Sequence, residues 1–421
     1  MSGLSARERS LGCLFGGAIG DAFGYAVEFM DLEAIKERFG KNGLTEPAPS
    51  GGLYRISDDT QMTLLTADGL LTGETRFCCR GIAASPADYA YPKYRHWAML
   101  QGFPVSGQTH GSWLFSDPAM CSRRAPGNTC ISDLCANEIP ARPGDPRNGS
   151  KGCGGLMRAA PAGIAAHRFP ESNIRAMMWG EEVAAATHGH PLGWMTAAMM
   201  ADIICRIMEG CGLEESLSMA MADCERRYSG SRFLGEMTGM VRRAMSLADS
   251  GRDDASCMAE LGEGWVAEET LAMAVFSCVR HQDDVKACLR CAVNVTGDSD
   301  SIGSVAGNIL GALVGFDEVG RAFDIGRVEC GDLIRVTAED LASGCPTDGR
   351  VLEDENWEDK YVRRTNPYNS RRWAASVSRR FSPPSRRRAT APVLSLMDGG
   401  DQLASRSDER RLAQCDEGAV Q

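Results

Sequence analysis

Apolar residues recur about every 3.6 positions through most of the chain up to residue 345, and this period predicts α-helices. The clearest segments are rich in Ala, Met, Leu and Glu, which favour helices, and the alternating runs typical of strands are scarce. We therefore predict an all-α fold. The best-defined predicted helices cover residues 181–187, 194–208, 213–228, 233–248 and 266–278.

Two stretches interrupt the helical pattern. Residues 102–155 are rich in Gly, Pro, Ser, Asn and Cys, and we predict long loops there, which in compact domains are usually functional or disordered. Residues 348–360 are a predicted acidic linker, and the Arg/Ser/Pro-rich sequence beyond them is predicted to be disordered. The predicted organisation is one folded domain at 1–347, followed by a linker and tail at 348–421.

Charge and cysteine content narrow the class of protein. The 421 residues carry a net charge of −11, yet the segment from Tyr361 to Thr390 has nine Arg and no acidic residue. The folded part is therefore acidic, which argues against nucleic-acid binding. The 17 cysteines lie mostly in apolar segments, and neither a signal peptide nor a membrane span is recognisable. We expect a reduced, cytoplasmic protein without a membrane partner.

One cysteine pair needs separate mention. Cys288-Leu-Arg-Cys291 is the only C-x-x-C in the chain. Because no second pair and no neighbouring His ligands accompany it, we interpret it as core packing, with a zinc or redox role as the alternative.

Two acidic clusters, each followed by a helical pattern, carry the clearest chemistry. They are Ser57-Asp58-Asp59-Thr60-Gln61 and Thr296-Gly297-Asp298-Ser299-Asp300-Ser301. Each could cap its helix, for example through an Asp58-x-x-Gln61 capping box. Considered together, they offer oxygen ligands suited to Mg²⁺, Mn²⁺ or Ca²⁺, and two divalent ions would neutralise four carboxylates that otherwise repel. Zinc is less expected, because neither cluster contains His or Cys.

A glycine-rich segment near the N-terminus predicts a closely packed helix. Gly16, Gly20 and Gly24 share one helical face and would allow close contact with a second helix. Asp21 within this segment is interpreted as a structural acid. Glu28 beyond it is either a surface carboxylate or a candidate acid/base.

Two further segments are candidate substrate contacts. The loop from Asn148 to Gly155 could present backbone N–H groups to an anion, or it could be a plain glycine loop. Thr187-His188-Gly189-His190-Pro191 contains an H-x-H pair without a nearby acid or cysteine. One buried, hydrogen-bonded His is the simpler interpretation, and a His that contacts substrate is the alternative.

These segments resemble the ADP-ribosylglycohydrolase family between residues 11 and 315. The resembling parts are GGAIGDAFGYAVEF, SDDTQMTL, SKGCGGLMRAAPAGI, THGHPLG, GWVAEETLAMAVF and VNVTGDSDSIGSVAGNILGALVG. The SDDT and GDSDS pair is the specific part. The resemblance implies a compact orthogonal all-α bundle at 1–347, with a binuclear Mg²⁺ or Mn²⁺ site at the bottom of an ADP-ribose cleft.

The resemblance also implies roles for particular residues. The implied metal ligands are Ser57, Asp58, Asp59, Asp298, Asp300 and Ser301. Glu28, Asp58 and Asp59 are the candidates for proton transfer. The residues implied to lie along ADP-ribose are Ser150, Gly152, Cys153, Gly154, Gly155 and His188.

The activity implied by the resemblance is metal-dependent removal of ADP-ribose from modified protein side chains, by cleavage at ribose C1″. Arginine-linked ADP-ribose is the preferred substrate, while serine-linked, polymeric and O-acetyl forms remain open. Two other functions also remain open: a non-catalytic member that binds ADP-ribose or shields a toxin target, and a two-metal phosphohydrolase. We expect a monomer whose partners are ADP-ribose and ADP-ribosylated proteins.

Overall fold

The fold is built from helices. The computed structural model describes residues 3–47, 51–348, 350–352 and 354–365. In these residues the only paired strands are Thr347–Asp348 and Val351–Leu352. The α-helices of the same residues are α1 Ala6–Tyr25, α2 Leu32–Phe39, α3 Asp58–Arg80, α4 Pro86–Leu100, α5 Asn128–Ala136, α6 Ala160–Ala166, α7 Ser172–Ala185, α8 Pro191–Met208, α9 Leu213–Arg227, α10 Leu234–Ala248, α11 Asp254–Leu261, α12 Ala267–Arg280, α13 Val285–Val293, α14 Ser299–Val314, α15 Phe316–Ala322, α16 Gly331–Ser343 and α17 Glu355–Glu358. The prediction of an all-α fold is confirmed.

The two helices at the centre, α1 and α14, pack through glycine. A Cβ added to Gly20 would lie 2.5 Å from the carbonyl carbon of Gly303, and one added to Gly16 would lie 3.1 Å from that of Gly307. Such distances are too short for any larger residue, so the two backbones are in direct contact. The predicted close packing of the glycine face is confirmed, and α14 supplies the complementary glycines.

Around this pair, α8 forms a second buried axis. It is buried along nearly its whole length and packs against α6, α7, α9 and α12. Its Met and Ala side chains fill the core, as their helical spacing predicts. The predicted helix at 194–208 is confirmed, and the one at 181–187 is the end of the longer α7.

The stretch at 102–155, predicted to form long loops, contains a helix that its composition does not indicate. Helix α5 begins after Gly127, which provides no side-chain cap, so the usual start signal is missing. Cys130 and Leu134 are buried on one face of the helix, and Tyr91 Oη donates to Asp133 Oδ1 at 2.6 Å. Tertiary contacts therefore stabilise a short helix that the sequence does not predict.

Part of the predicted linker and tail folds onto the domain. Asp354 caps α17, and Trp357 and Tyr361 are almost fully buried. Trp357 Nε1 donates to Thr75 Oγ1 at 2.8 Å, while Tyr361 Oη donates to Asp340 Oδ2 at 2.6 Å. Aromatic residues four apart share one helical face, which explains why this segment packs. The rest of the predicted tail, 366–421, lies outside the described residues.

The cysteines in the described part of the chain are free thiols, and many of them are buried in the core. They act there as small apolar side chains, as their sequence context predicts. Over the same residues, the helices lack the combination of length and apolar character needed to cross a bilayer.

Candidate metal and substrate site

The first acidic cluster lies at the start of α3 and is held there by Asp21 of α1. Ser57, and not Asp58, is the capping residue, since Ser57 Oγ accepts from Asp59 N at 3.2 Å. The backbone N–H of Ser57 donates to both Asp21 carboxylate oxygens at 3.0 Å, and Thr60 N donates to Oδ2 at 3.1 Å. The side chain of Asp58 is therefore not used for capping.

The suggested Asp58-x-x-Gln61 capping box is wrong for the same reason. Gln61 Nε2 donates to the carbonyl oxygens of Ala119 and Ser122, at 2.6 and 3.0 Å. Asp58 Oδ2 accepts instead from Gly127 N at 3.0 Å, so the carboxylate is oriented by a loop from another part of the chain.

The second acidic cluster is set by a tight turn before α14. Gly297 has φ of 123°, and a Cβ there would lie 2.8 Å from the carbonyl carbon of Glu263. Asp298 occupies the capping position but makes no side-chain cap bond. Its Oδ2 accepts instead from the Cys153 thiol at 2.7 Å. Here too, the acidic side chain is directed away from its own helix.

The two clusters meet at one place. Ser301 Oγ donates to Asp59 Oδ1 at 3.4 Å, across 242 positions of sequence. Carboxylate oxygens of Glu28, Asp298 and Asp300 lie within 4.8 Å of one another. The two clusters come together because α1 touches both: Asp21 binds the start of α3, and Gly24 contacts the backbone at the start of α14.

This concentration of carboxylates has a clear electrostatic signature. Burial, together with the charges of Asp300 and Asp21, raises the pKa of Asp59 well above its usual value. Burial and the charge of Asp300 raise the pKa of Asp21 to about 8. Asp59 Oδ2 is buried without a hydrogen-bond partner among the described residues. A divalent cation would satisfy that oxygen and offset the repulsion, so the residues fit a metal site.

The glycine loop lies directly beside these acids. Cys153–Gly155 form a short 3-10 turn, and Cys153 N donates to Trp265 O at 3.3 Å. Gly152 N donates to Ser150 Oγ at 3.3 Å. These two N–H groups are engaged within the protein, so the predicted anion cradle would have to use other donors of the loop. Burial and the neighbouring Asp298 raise the pKa of the Cys153 thiol, which keeps it protonated.

His188 packs against the glycine loop at Gly154. It is buried, and its Nδ1 is 2.9 Å from Thr187 Oγ1. A Cβ on Gly154 would lie 3.0 Å from the His188 ring. Burial, reinforced by the charge of Arg158, lowers the pKa of His188 to about 3, so the ring is neutral. His190 has a different role, because its Nδ1 accepts from Leu192 N and caps α8.

An aromatic pair lies next to the site, and its role could not be predicted from the sequence. Phe29 stacks on Trp265 with ring centroids 5.5 Å apart. Phe29 has φ of 67°, which costs energy in a non-glycine residue and often marks a functional position. It directly follows Glu28 in the chain. Neither the strain nor the stacking leaves a pattern in the sequence.

Comparison with known proteins identifies the family of this chain. The family model for ADP-ribosylglycohydrolase matches residues 2–350. The chain belongs to the ADP-ribosylglycohydrolase family. The acidic clusters that meet beside Cys153 therefore lie within a family domain that extends over most of the chain.

Several relatives support the assignment. The ADP-ribosyl-[dinitrogen reductase] glycohydrolase of Rhodospirillum rubrum is 25% identical over 332 residues, covering 76% of this chain and 90% of that protein. The ADP-ribosylarginine hydrolase of Pseudomonas putida is 24% identical and covers 74% and 71%. A solved ADP-ribosylglycohydrolase-related protein complex superposes with a TM-score of 0.53 at 22% identity, covering 80% of this chain and 98% of that one. The last similarity concerns the fold alone.

Proposed function

We propose that this protein is a two-metal hydrolase that releases ADP-ribose from modified protein side chains, with arginine-linked ADP-ribose as its substrate. The observation that carries the proposal is the contact between Ser301 and Asp59, which unites the two acidic clusters. The two clusters offer oxygen ligands, and Asp59 contributes a buried oxygen without a hydrogen-bond partner among the described residues. Magnesium or manganese is the expected metal for such ligands.

The proposed ligands come from both clusters and are Ser57, Asp58, Asp59, Asp298, Asp300 and Ser301. A bound pair of divalent cations supplies charge stabilisation and makes water more acidic. The chain's own groups set the geometry: Asp21 fixes the start of α3, and the Gly297 turn aims Asp298. Gly127 N orients the Asp58 carboxylate through its hydrogen bond to Oδ2.

Proton transfer is assigned to Glu28, with Asp58 and Asp59 as the other candidates. The Glu28 carboxylate is buried and lies beside Asp298 and Asp300. From there it can take a proton from the attacking water, or give one to the leaving nitrogen as the bond at C1″ breaks. Substrate contacts are proposed for Ser150, for the turn from Gly152 to Gly155 that contains Cys153 and Gly154, and for His188.

Arginine linkage is favoured by charge and by the relatives. A guanidinium group attached to ADP-ribose is cationic, and the cluster of Glu28, Asp298 and Asp300 is a favourable surrounding for a cation. The Pseudomonas putida relative is named for ADP-ribosylarginine, and the Rhodospirillum rubrum relative for ADP-ribosylated dinitrogen reductase. Serine-linked substrates lack that positive charge, so their turnover should be slower.

The test is a product assay on the full chain after chelation and re-addition of Mg²⁺ or Mn²⁺, with arginine-, serine- and polymer-linked ADP-ribose as substrates. We expect intact ADP-ribose, released fastest from arginine. Asp300→Asn should lower the rate by about 1000-fold, because it removes a proposed ligand. Asp317→Asn is the matched control, since it too is a first-turn acid, but on the exposed surface of α15. Unchanged release by Asp300→Asn would contradict the site assignment.

The same assay separates the other two functions. ADP-ribose that binds in calorimetry without any release from protein would indicate a binding or shielding protein. AMP and ribose phosphate as products would indicate a phosphohydrolase, because they require cleavage of the pyrophosphate.

A further inference from the structure

A second cluster of metal-ligating side chains lies outside the acidic site, in the wall of a surface pocket of about 310 Å³. It consists of Asp254, His281 and Cys291, and one donor atom from each lies within 4.8 Å of the other two. None of these residues belongs to the site proposed above. Lys36 and Arg290 also line the pocket.

Three different elements present the three groups. Asp254 is the first residue of α11, His281 follows the last residue of α12, and Cys291 lies in α13. His281 Nε2 is 2.9 Å from Asp254 Oδ2. The sequence around Cys288 and Cys291 shows no metal-binding pattern because the other two groups are distant in the chain. His281 lies ten positions before Cys291, and Asp254 lies on another helix.

Neighbouring groups hold the cluster in place. Arg280 donates to Asp254 Oδ1 at 3.1 Å, so the second oxygen, Oδ2, is directed at His281. Ser277 Oγ donates to Cys291 Sγ at 3.5 Å. Fixed orientation of ligands by a second layer of hydrogen bonds is typical of metal sites. Cys288 is arranged differently, since its thiol points to Cys278, 3.9 Å away, in the core.

We propose that Asp254, His281 and Cys291 bind one zinc ion, with the fourth coordination position open to the pocket. One carboxylate oxygen, one imidazole nitrogen and one thiolate are a donor set that zinc accepts and magnesium does not. His281 stands at the C-terminal end of α12, where the helix dipole favours a cation. Three protein ligands with one open position is the arrangement of an accessible zinc site.

Charge balance is consistent with this assignment. On binding, the Cys291 thiol would lose its proton to solvent, and His281 Nε2, which lies 2.9 Å from Asp254 Oδ2, would bind the ion without a proton. The carboxylate and the thiolate then neutralise the ion. The positive charges of Lys36 and Arg290, which line the pocket, favour hydroxide or another small anion at the open position.

A zinc ion here would also connect parts of the fold. It would join α11, α12 and α13, and α13 leads directly into the turn that carries Asp298. Binding to the folded state alone stabilises that state by mass action, by about 2.7 kcal/mol when free zinc is 100 times the dissociation constant.

The experiment uses the full chain, stripped with a chelator and titrated with Co²⁺ as a spectroscopic probe, then with Zn²⁺. A thiolate-to-cobalt charge-transfer band should appear and disappear again with one equivalent of zinc. His281→Gln and Cys291→Ser should each weaken zinc binding at least about 100-fold, because each removes a direct ligand. Cys288→Ser, one helical turn away, is the matched control and should bind zinc as the wild type does.

Two results with the cobalt probe would overturn the proposal. One is the absence of the charge-transfer band in the wild-type protein. The other is a band that persists in Cys291→Ser, which would assign the thiolate to another residue such as Cys153. Circular dichroism checks that each variant is folded. His281→Gln keeps the test decisive if Cys291→Ser is unstable, since His281 is partly exposed. An unchanged zinc affinity in His281→Gln would also refute the site.

Discussion

The backbone contact between α1 and α14 makes Gly20→Ala the sharpest test of the fold. The added Cβ would lie 2.5 Å from the carbonyl carbon of Gly303, whereas non-bonded carbons prefer about 3.5–4.0 Å. The obstacle is backbone, which cannot rotate away as a side chain could. The two helices would therefore have to move apart by about 1 Å, and a gap of that size removes up to about half of the dispersion attraction between facing atoms.

The cost of this separation can be set against the benefit of alanine. Overpacking in a core costs about 1–3 kcal/mol and sometimes more. Alanine is favoured over glycine in a helix by about 1 kcal/mol, which offsets part of the cost. Because the neighbour is rigid, we expect a net loss of about 2–3 kcal/mol in the free energy of unfolding. The melting temperature should fall by roughly 3–4 °C.

Thermal and urea unfolding of the full chain measure this loss of free energy of unfolding. Two further substitutions serve as comparisons. Gly239→Ala lies in α10 with open space around it, so it should stabilise by about 0.5–1 kcal/mol. Gly12→Ala meets the Gly315 backbone at 2.8 Å and should destabilise. Gly12 lies about 13 Å along α1 from Asp21, so that variant should retain more ADP-ribose release than Gly20→Ala does. A Gly20→Ala protein as stable as Gly239→Ala would refute the proposed backbone contact.

Three other perturbations have directions that the structure fixes. Trp357→Ala should cost about 3–5 kcal/mol, because the indole is buried and donates to the core. Lys93→Met should cost about 3–5 kcal/mol, since it leaves the buried carboxylate of Asp68 without its 2.9 Å partner. Burial lowers the pKa of both His96 and His110 to about 4, below the ordinary value of 6.5. The unfolded chain thus binds more protons between pH 4 and 6.5, and the free energy of unfolding should fall as pH drops through that window, by up to roughly 3 kcal/mol per histidine.

Each of these expectations has its own control. Val351→Ala, an exposed position beside α17, should be neutral where Trp357→Ala is not. Adding Asp68→Leu to Lys93→Met should restore much of the lost stability, and a single variant that costs under about 1 kcal/mol would argue against a buried pair. His96→Gln should flatten the urea-derived stability profile below pH 6.5. An unchanged slope would mean that His96 is not a buried neutral group.

The local part of the structure could be predicted from the sequence. Helices such as α8 and α10 leave a period of about 3.6 residues, because the same face must repeatedly meet the core. The glycine face of α1 could also be predicted, because only small residues allow two backbones to touch. The segment around α5 was missed because its apolar face is short and its N-terminus has no side-chain cap.

Side-chain roles at the site were harder to predict. Ser57 and Asp58 are adjacent, yet one caps α3 and the other accepts a hydrogen bond from a distant loop. Sequence shows which residues can cap, but not which one does, because that choice depends on Asp21 from another helix. The same holds for Cys153, whose thiol donates to an acid 145 positions away.

The sequence alone therefore determined the helical class, the glycine contact face and the two acidic clusters, each of which depends on residues a few positions apart. Tertiary structure alone decided that Asp59 and Ser301 touch, and that Asp254 and His281 come to Cys291. The physical reason is the range of the interactions. Helix propensity and hydrophobic period act within one or two turns, whereas a metal site needs side chains from several helices, whose arrangement is fixed by packing of the whole core.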